Sequence, residues 1–350
     1  MKRPVTCDRY HRQTLLEGFG PERQQRLARS HAVVVGLGAV GCPAADLLAR
    51  AGVGHLTLID RDLVEFTNLQ RQSLFVEADA ADALPKAAVA EARLGEANGD
   101  IEIISRVADV SQQNIERMLF EGEAGRPDIV VDGSDNFETR YLLNDLAVKH
   151  GLPLIYAGAI AWRAMVMPVL PGGACLQSVF GQPPLQRGDT CDTVGVHAPA
   201  AAIAGSRAAS LALRLLAGFK DEPVLFTFDT ATGRATTVPL ADARNDECRC
   251  CGERRFDFLD GTTRSQSEKL CGTEAVQVNA AGPVDIDLGA LAARLSRFGV
   301  FQATRFHVRG ELSDEHEGIG VTVFADGRAI VRGTSDPVVA RGIYARYIGG

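Results

Sequence analysis

The sequence has no long hydrophobic run, no excess of positive charge and no internal repeat. No apolar stretch approaches the roughly 20 residues that a membrane-spanning helix needs, so a membrane protein of that kind is not expected. The opening Met1-Lys2-Arg3-Pro4 is not followed by the apolar segment of a secretory signal, which makes the cytoplasm the expected location. Lys and Arg number 37 against 44 Asp and Glu, a formal net charge of −7, and this argues against a nucleic-acid-binding surface. The absence of a repeat removes solenoids and other arrays. What remains is a globular composition, 46% hydrophobic and 23% charged, on 350 residues, long enough to imply two domains.

The eight cysteines are Cys7, Cys42, Cys175, Cys191, Cys248, Cys250, Cys251 and Cys271. In a reducing compartment disulfides are not expected. Cys42 lies in a helical stretch and reads as a small core hydrophobe. Cys248-Arg249-Cys250-Cys251 sits in a polar segment with no core to fill, so metal binding is the better reading.

Residues 1–30 read as a polar, helical lead-in anchored by Leu15, Leu16 and Leu27. Strands follow at 33–36, 56–60, 101–107, 128–132 and 154–156, alternating with helices near 39–51, 84–97, 111–120 and 136–149. That alternation predicts an α/β fold: a Rossmann-like, mainly parallel sheet with helices on both faces. Residues 171–195 read as a long crossing loop, a feature that is often functional. A helix at 199–218 and strands near 224–228 and 234–239 complete a domain over 1–252. Residues 253–273 read as a linker. Residues 274–350 read as a small α+β module of order βαβββα, with strands at 274–278, 303–309, 319–324 and 329–331. Its helix carries Leu288, Leu291, Leu295 and Phe298 on one face, Asp326-Gly327 marks a hairpin, and Asp336-Pro337 starts the last helix.

Val33-Val34-Val35-Gly36-Leu37-Gly38-Ala39-Val40-Gly41 is the most informative segment. A buried strand runs into a tight turn and then a helix. Gly36 permits the turn, Gly38 lets a phosphate approach the backbone, and Gly41 lets helix and strand pack closely. The helix start offers free N–H groups to an anion. Asp60 ends the second strand, where a carboxylate accepts ribose hydroxyls. Such a turn alone fits NAD, FAD, SAM or ATP. The polar run from Asp60 to Gln72, with Asp62, Asn68, Arg71 and Gln72, favours a site that holds a triphosphate and releases pyrophosphate.

Taken in order, Gly36-x-Gly38-x-x-Gly41, Asp60-x-Asp62, Asn68-Leu69-Gln70-Arg71-Gln72, Lys86, Asp132-Gly133-Ser134-Asp135-Asn136 and Thr190-Cys191-x-x-x-Gly195-Val196 resemble the ThiF/MoeB/HesA family, relatives of the ubiquitin-activating enzymes. Arg9-Tyr10-His11-Arg12-Gln13 matches the family's opening, and the resemblance covers residues 8–252. It implies adenylation of the C-terminal glycine of a ubiquitin-like sulfur carrier with ATP and Mg²⁺, by a homodimer that needs a separate sulfur donor. Arg71 and Lys86 then supply fixed positive charge to the phosphates. Arg12 does so from a partner subunit. Asp135 is the Mg²⁺ ligand, with hard oxygen for a hard cation. Asp60 binds ribose, and Asp62, Asn68, Gln72 and Asn136 orient the phosphate side. Lys86 read alone is more readily a solvated helix residue, and Asp135-Asn136 could simply cap the helix that follows while also binding metal. Cys191 falls where the family often carries a reactive thiol; the alternative is an inert loop cysteine.

The metal pattern departs from the family's two Cys-x-x-Cys pairs. Cys248 and Cys251 form one. The other reads Cys175-Leu176-Gln177-Ser178, with serine in place of the fourth thiolate. A structural zinc wants four ligands in a tetrahedron, so Cys250 or a non-sulfur group must complete it, or the site is lost. The ending Gly349-Gly350 looks like a carrier tail but is not expected to be a substrate of its own chain. Two other functions stay open. A Rossmann-type NAD-dependent oxidoreductase leaves Arg71, Lys86 and Asp135 unexplained. A non-catalytic docking module leaves the complete set Asp60, Arg71, Lys86 and Asp135 unexplained.

Overall fold

The structure, a computed structural model, describes residues 9–122, 124–183, 194–261, 267–269, 274–280, 284–313 and 316–348. The chain divides into two compact units, residues 1–262 and 263–350.

In the first unit, β1 (His31–Val35), β2 (His55–Asp60), β3 (Glu102–Val107), β4 (Ile129–Asp132) and β5 (Leu154–Ile160) run parallel in the order β3-β2-β1-β4-β5. Strands β6 (Arg163–Val169), β7 (Val224–Asp229) and β8 (Arg234–Pro239) extend the sheet antiparallel to eight strands. The helices are α1 (His11–Thr14), α2 (Gly20–Leu27), α3 (Gly41–Ala51), α4 (Glu77–Ala81), α5 (Lys86–Ala97), α6 (Ile115–Phe120), α7 (Phe137–His150), α8 (Leu176–Phe180) and α9 (Ala198–Leu216).

Alternate residues of β1 enter two cores. Ala32 and Val34 join Leu48, Leu94 and Ala208, from α3, α5 and α9. Val33 and Val35 join Ile115, Leu142 and Leu146, from α6 and α7. Two covered faces explain why β1 is an unbroken apolar run. Each buried valine contributes about 1.5–3 kcal/mol. Strand order reverses at β1, which lies between β2 and β4, and this opens a crevice beyond the strand ends.

The lead-in differs from expectation. Leu27 is fully buried, but Leu15 and Leu16 are 69% and 60% exposed. Both fall just after α1, where the chain turns before α2. The crossing segment carries α8, and its residues 184–193, with Cys191, lie outside the described residues. Among the described residues no helix is long and apolar enough to cross a membrane.

The second unit is a six-stranded antiparallel sheet of order β11-β12-β13-β14-β10-β9. Its strands are β9 (Ser267–Lys269), β10 (Ala275–Val278), β11 (Gly299–Ala303), β12 (His307–Leu312), β13 (Gly320–Phe324) and β14 (Ala329–Arg332), with helices α10 (Leu288–Leu295) and α11 (Pro337–Tyr347). The order is ββαββββα rather than βαβββα. A strand occupies part of the expected linker. The single strand expected at 303–309 is instead the end of β11, a turn and the start of β12. That turn contains no glycine, proline or asparagine; the Thr304 hydroxyl closes it by accepting from the N–H groups of Phe306 and His307. Leu291, Leu295, Val276, Val321, Val331 and Ile343 form its core.

Candidate active site

The crevice is built by backbone in close contact. Gly36 has φ +86°, and a Cβ there would meet the Gly133 carbonyl carbon at 2.7 Å. A Cβ on Gly41 would fall 1.8 Å from the Gly36 oxygen. The turns after β1 and β4 and the start of α3 therefore touch with no side chain between them. Asp60, at the end of β2, fixes the turn from the other side. One carboxylate oxygen accepts the Leu37 N–H at 2.6 Å and the other accepts the Asp62 N–H at 2.7 Å. Burial pushes the Asp60 carboxyl up, while the Lys86 charge and the two N–H donors pull against it.

A cleft of about 890 Å³, open to solvent, lies over this turn. Lys86 opens α5 but is buried, with its ammonium 3.0 Å from an Asp62 oxygen. Burial would lower its pKa; the Asp62 and Asp60 charges outweigh burial and raise it, so Lys86 is a fixed cation. Half-buried Arg71 donates to the Thr67 carbonyl at 2.8 Å. Asp135 is exposed in the cleft wall. Asn136 caps α7 by accepting the Thr139 N–H at 2.8 Å and also lines the cleft. Gln72 is buried, and its Oε1 has no hydrogen bond among the described residues, which leaves an acceptor in the wall without a donor.

Nine of the residues expected at the site line this cleft: Gly36, Gly38, Asp60, Asp62, Arg71, Gln72, Lys86, Asp135 and Asn136. Gly41 does not; it serves packing beneath the turn. Asn68 does not either. Its Oδ1 accepts the Glu65 N–H at 3.1 Å and caps a short 3₁₀ turn, which presents Arg71 rather than contacting the cleft. Arg12 is exposed on α1 and does not line the cleft of its own chain. Three further charged residues belong to it. Arg61 pairs with Asp109 at 3.1 Å, and Arg140 projects from α7. Asp109 just beyond β3 repeats the placement of Asp60 at the end of β2. Arg140 stands one helical turn after Asn136. The strand-end position of Asp109 is a signal readable from the sequence; the Arg140 contact, made to a backbone carbonyl, is not.

The cysteines form a second, buried site. The sulfurs of Cys175, Cys248 and Cys251 lie within 4.8 Å of one another, with Cys175 and Cys248 3.6 Å apart. A hydrogen bond from the neighbouring Cys250 draws the Cys175 thiol down to about 4. Cys250 also accepts from Asn144 at 3.3 Å. Ser178 is otherwise engaged: its hydroxyl accepts the Cys175 N–H at 3.0 Å and donates to the Cys175 carbonyl at 2.9 Å, capping α8. Three mutually close thiols suit a soft cation.

The chain matches the ThiF family over residues 10–250. It is 38% identical over 342 residues to the sulfur carrier protein ThiS adenylyltransferase of Bacillus subtilis, covering 97% of this chain and 99% of that protein. It is also 38% identical over 257 residues to the sulfur carrier protein adenylyltransferase of Thermus thermophilus, 70% of this chain and 91% of that one. In fold it is similar to E. coli MccB crystallised with ATP, with TM-score 0.61 and 22% identity over 71% of this chain and 75% of the other. The motifs, the order of the parallel strands and the long match to the Bacillus protein agree: this chain belongs to the ThiF family.

Proposed function

We propose that this chain adenylates the C-terminal glycine of a ubiquitin-like sulfur-carrier protein. The observation that carries the reading is the convergence of Arg71, Lys86 and Asp135 on one cleft above the glycine turn. The tight turn at Gly36, the open backbone at Gly38, the acceptor of Gln72 and the cations Arg71 and Lys86 suit a nucleoside triphosphate. In the reaction a carboxylate oxygen of the carrier bonds to the α-phosphorus of ATP, and the bond from that phosphorus to the bridging oxygen breaks. Pyrophosphate leaves and an acyl-adenylate remains. Negative charge grows on the phosphorus centre and on the leaving group, and Arg71 and Lys86 are already in place to offset it. Asp135 would hold Mg²⁺, which supplies further charge neutralisation when bound. Cys175, Cys248 and Cys251 would hold a structural zinc. We read the working unit as a homodimer in which Arg12 reaches the partner's nucleotide, and the sulfur donor as a separate protein.

The test is exchange of labelled pyrophosphate into ATP. It should require a carrier ending in Gly-Gly. Arg71→Ala and Asp135→Ala should each lower it by roughly two to three orders of magnitude. Unchanged exchange in both variants, or tight NAD binding without ATP binding, overturns the reading.

A further inference from the structure

We propose that Arg140 is a positioning residue that aims the Asp135 carboxylate. The proposal rests on the adenylation reading, in which Asp135 is the metal-side ligand.

The side chain of Arg140 is 15% exposed. Its guanidinium donates to the Ser134 carbonyl at 2.8 Å and lies 5.2 Å from the centre of the Tyr156 ring. Its Nε is 3.8 Å from an oxygen of Asp132, which is wholly buried. The other Asp132 oxygen accepts both the N–H of Ser134 at 2.9 Å and its hydroxyl at 2.6 Å. Ser134 is thus gripped at three points, by Asp132 on one side and Arg140 on the other. The Ser134 carbonyl belongs to the same planar peptide as the Asp135 N–H. Holding that carbonyl fixes the plane from which the Asp135 side chain departs. Asn136 then starts α7, so the loop is pinned at both ends. Gly158 leaves room for the arrangement: a Cβ there would come within 3.1 Å of the Tyr156 hydroxyl and 3.3 Å of Arg140. A bland alternative exists, in which Arg140 only neutralises buried Asp132. The two differ in what happens at Asp135.

The readout is the affinity of Mn²⁺ for the full-length protein saturated with α,β-methylene-ATP, followed by electron paramagnetic resonance. Removing Arg140 alone would leave a buried carboxylate unpaired, so Arg140→Met is combined with Asp132→Asn. Asparagine keeps the oxygen that accepts from Ser134. The pair should weaken Mn²⁺ at least tenfold, and Asp132→Asn alone less than threefold. Adding the pair to Asp135→Ala should cost less than a further twofold, because both act through one carboxylate. Arg140→Lys, which keeps the charge but loses the planar fork, should weaken Mn²⁺ several-fold and serves if the pair does not fold. Wild-type Mn²⁺ affinity in the pair or in Arg140→Lys overturns the proposal. So do equal losses in Asp132→Asn and the pair, or losses that multiply with Asp135→Ala. Full Mn²⁺ affinity in Asp135→Ala would instead strike the metal role given to Asp135, and pyrophosphate exchange tests adenylation separately.

Discussion

Lys86 and Asp62 are joined twice: the ammonium lies 3.0 Å from the carboxylate, and the Lys86 backbone N–H donates to the Asp62 carbonyl at 2.9 Å. The second bond sets the first. It locks the start of α5 to the segment after β2, so the side chain enters the cleft rather than solvent. Lys86→Met should lower pyrophosphate exchange by roughly two to three orders of magnitude. Its pKa is raised above the ordinary 10.5, so the stability it contributes is complete below that value and is lost only as pH rises through the higher folded value. Between pH 7 and 9 it stays charged. A limb near pH 8 in the wild-type rate profile that vanishes in Lys86→Met would contradict this.

Arg12 is exposed and outside the cleft of its own chain; under the proposed homodimer it serves the neighbouring site. Arg12→Ala and Asp135→Ala subunits, each inactive alone, should recover about a quarter of wild-type exchange when mixed equally and allowed to reassort, since half the dimers carry one intact site of two. No recovery would count against a shared site.

Much of this site could be read from the residues, and the failures have identifiable causes. The β1 run and Gly36 were legible because a strand buried on both faces and a turn needing positive φ each leave few residue choices. Lys86 was ambiguous, because a lysine beginning a helix is normally solvated; here the backbone bond to Asp62 and the adjoining pairing of Leu63 with Pro85 turn it inward. Asn68 carries two readings because a cap and a ligand use the same amide, and its Oδ1 is engaged as a cap here. The hairpin of β11 and β12 was hidden because the Thr304 hydroxyl closes its turn without the usual turn residues. Arg140 was missed because its role is to hold a backbone carbonyl, and no side-chain motif marks that contact.

In the second unit His307 is 1% exposed, and burial, then the charges of Arg309 and Arg332, hold its pKa down to about 4. The folded form therefore favours neutral imidazole. As pH falls below 6.5 the unfolded chain takes up a proton that the folded chain refuses, so stability drops until about pH 4. From pH 7 to pH 5 the loss from this group is about 2 kcal/mol. Urea melts of wild type and His307→Gln should show this extra acid sensitivity only in the wild type. Parallel pH dependence of the two would refute it.

The cysteine site yields the last prediction. Three sulfurs already lie within 4.8 Å of one another, close enough to share one ion. Asn144 ties them to the helices: its amide accepts the Leu176 N–H at 2.8 Å and donates to Cys250 at 3.3 Å, so α7, α8 and the segment at 248–251 meet there. Ser178 is committed to capping α8 and is not the fourth ligand. Cys250, already hydrogen-bonded to Cys175, is a candidate for that place. Elemental analysis of carefully purified protein should find about one equivalent of zinc, and a strong chelator should lower the melting temperature by more than about 5 °C while the protein stays adenylation-competent at low temperature. Cys250→Ser should weaken retention of zinc, and Ser178→Cys added to it should restore retention if a freed thiol can turn toward the ion. Zinc below about a tenth of an equivalent in the wild type, with no change in melting on chelation, would mean that serine at 178 has cost this chain the site and that the buried thiols are held by packing alone.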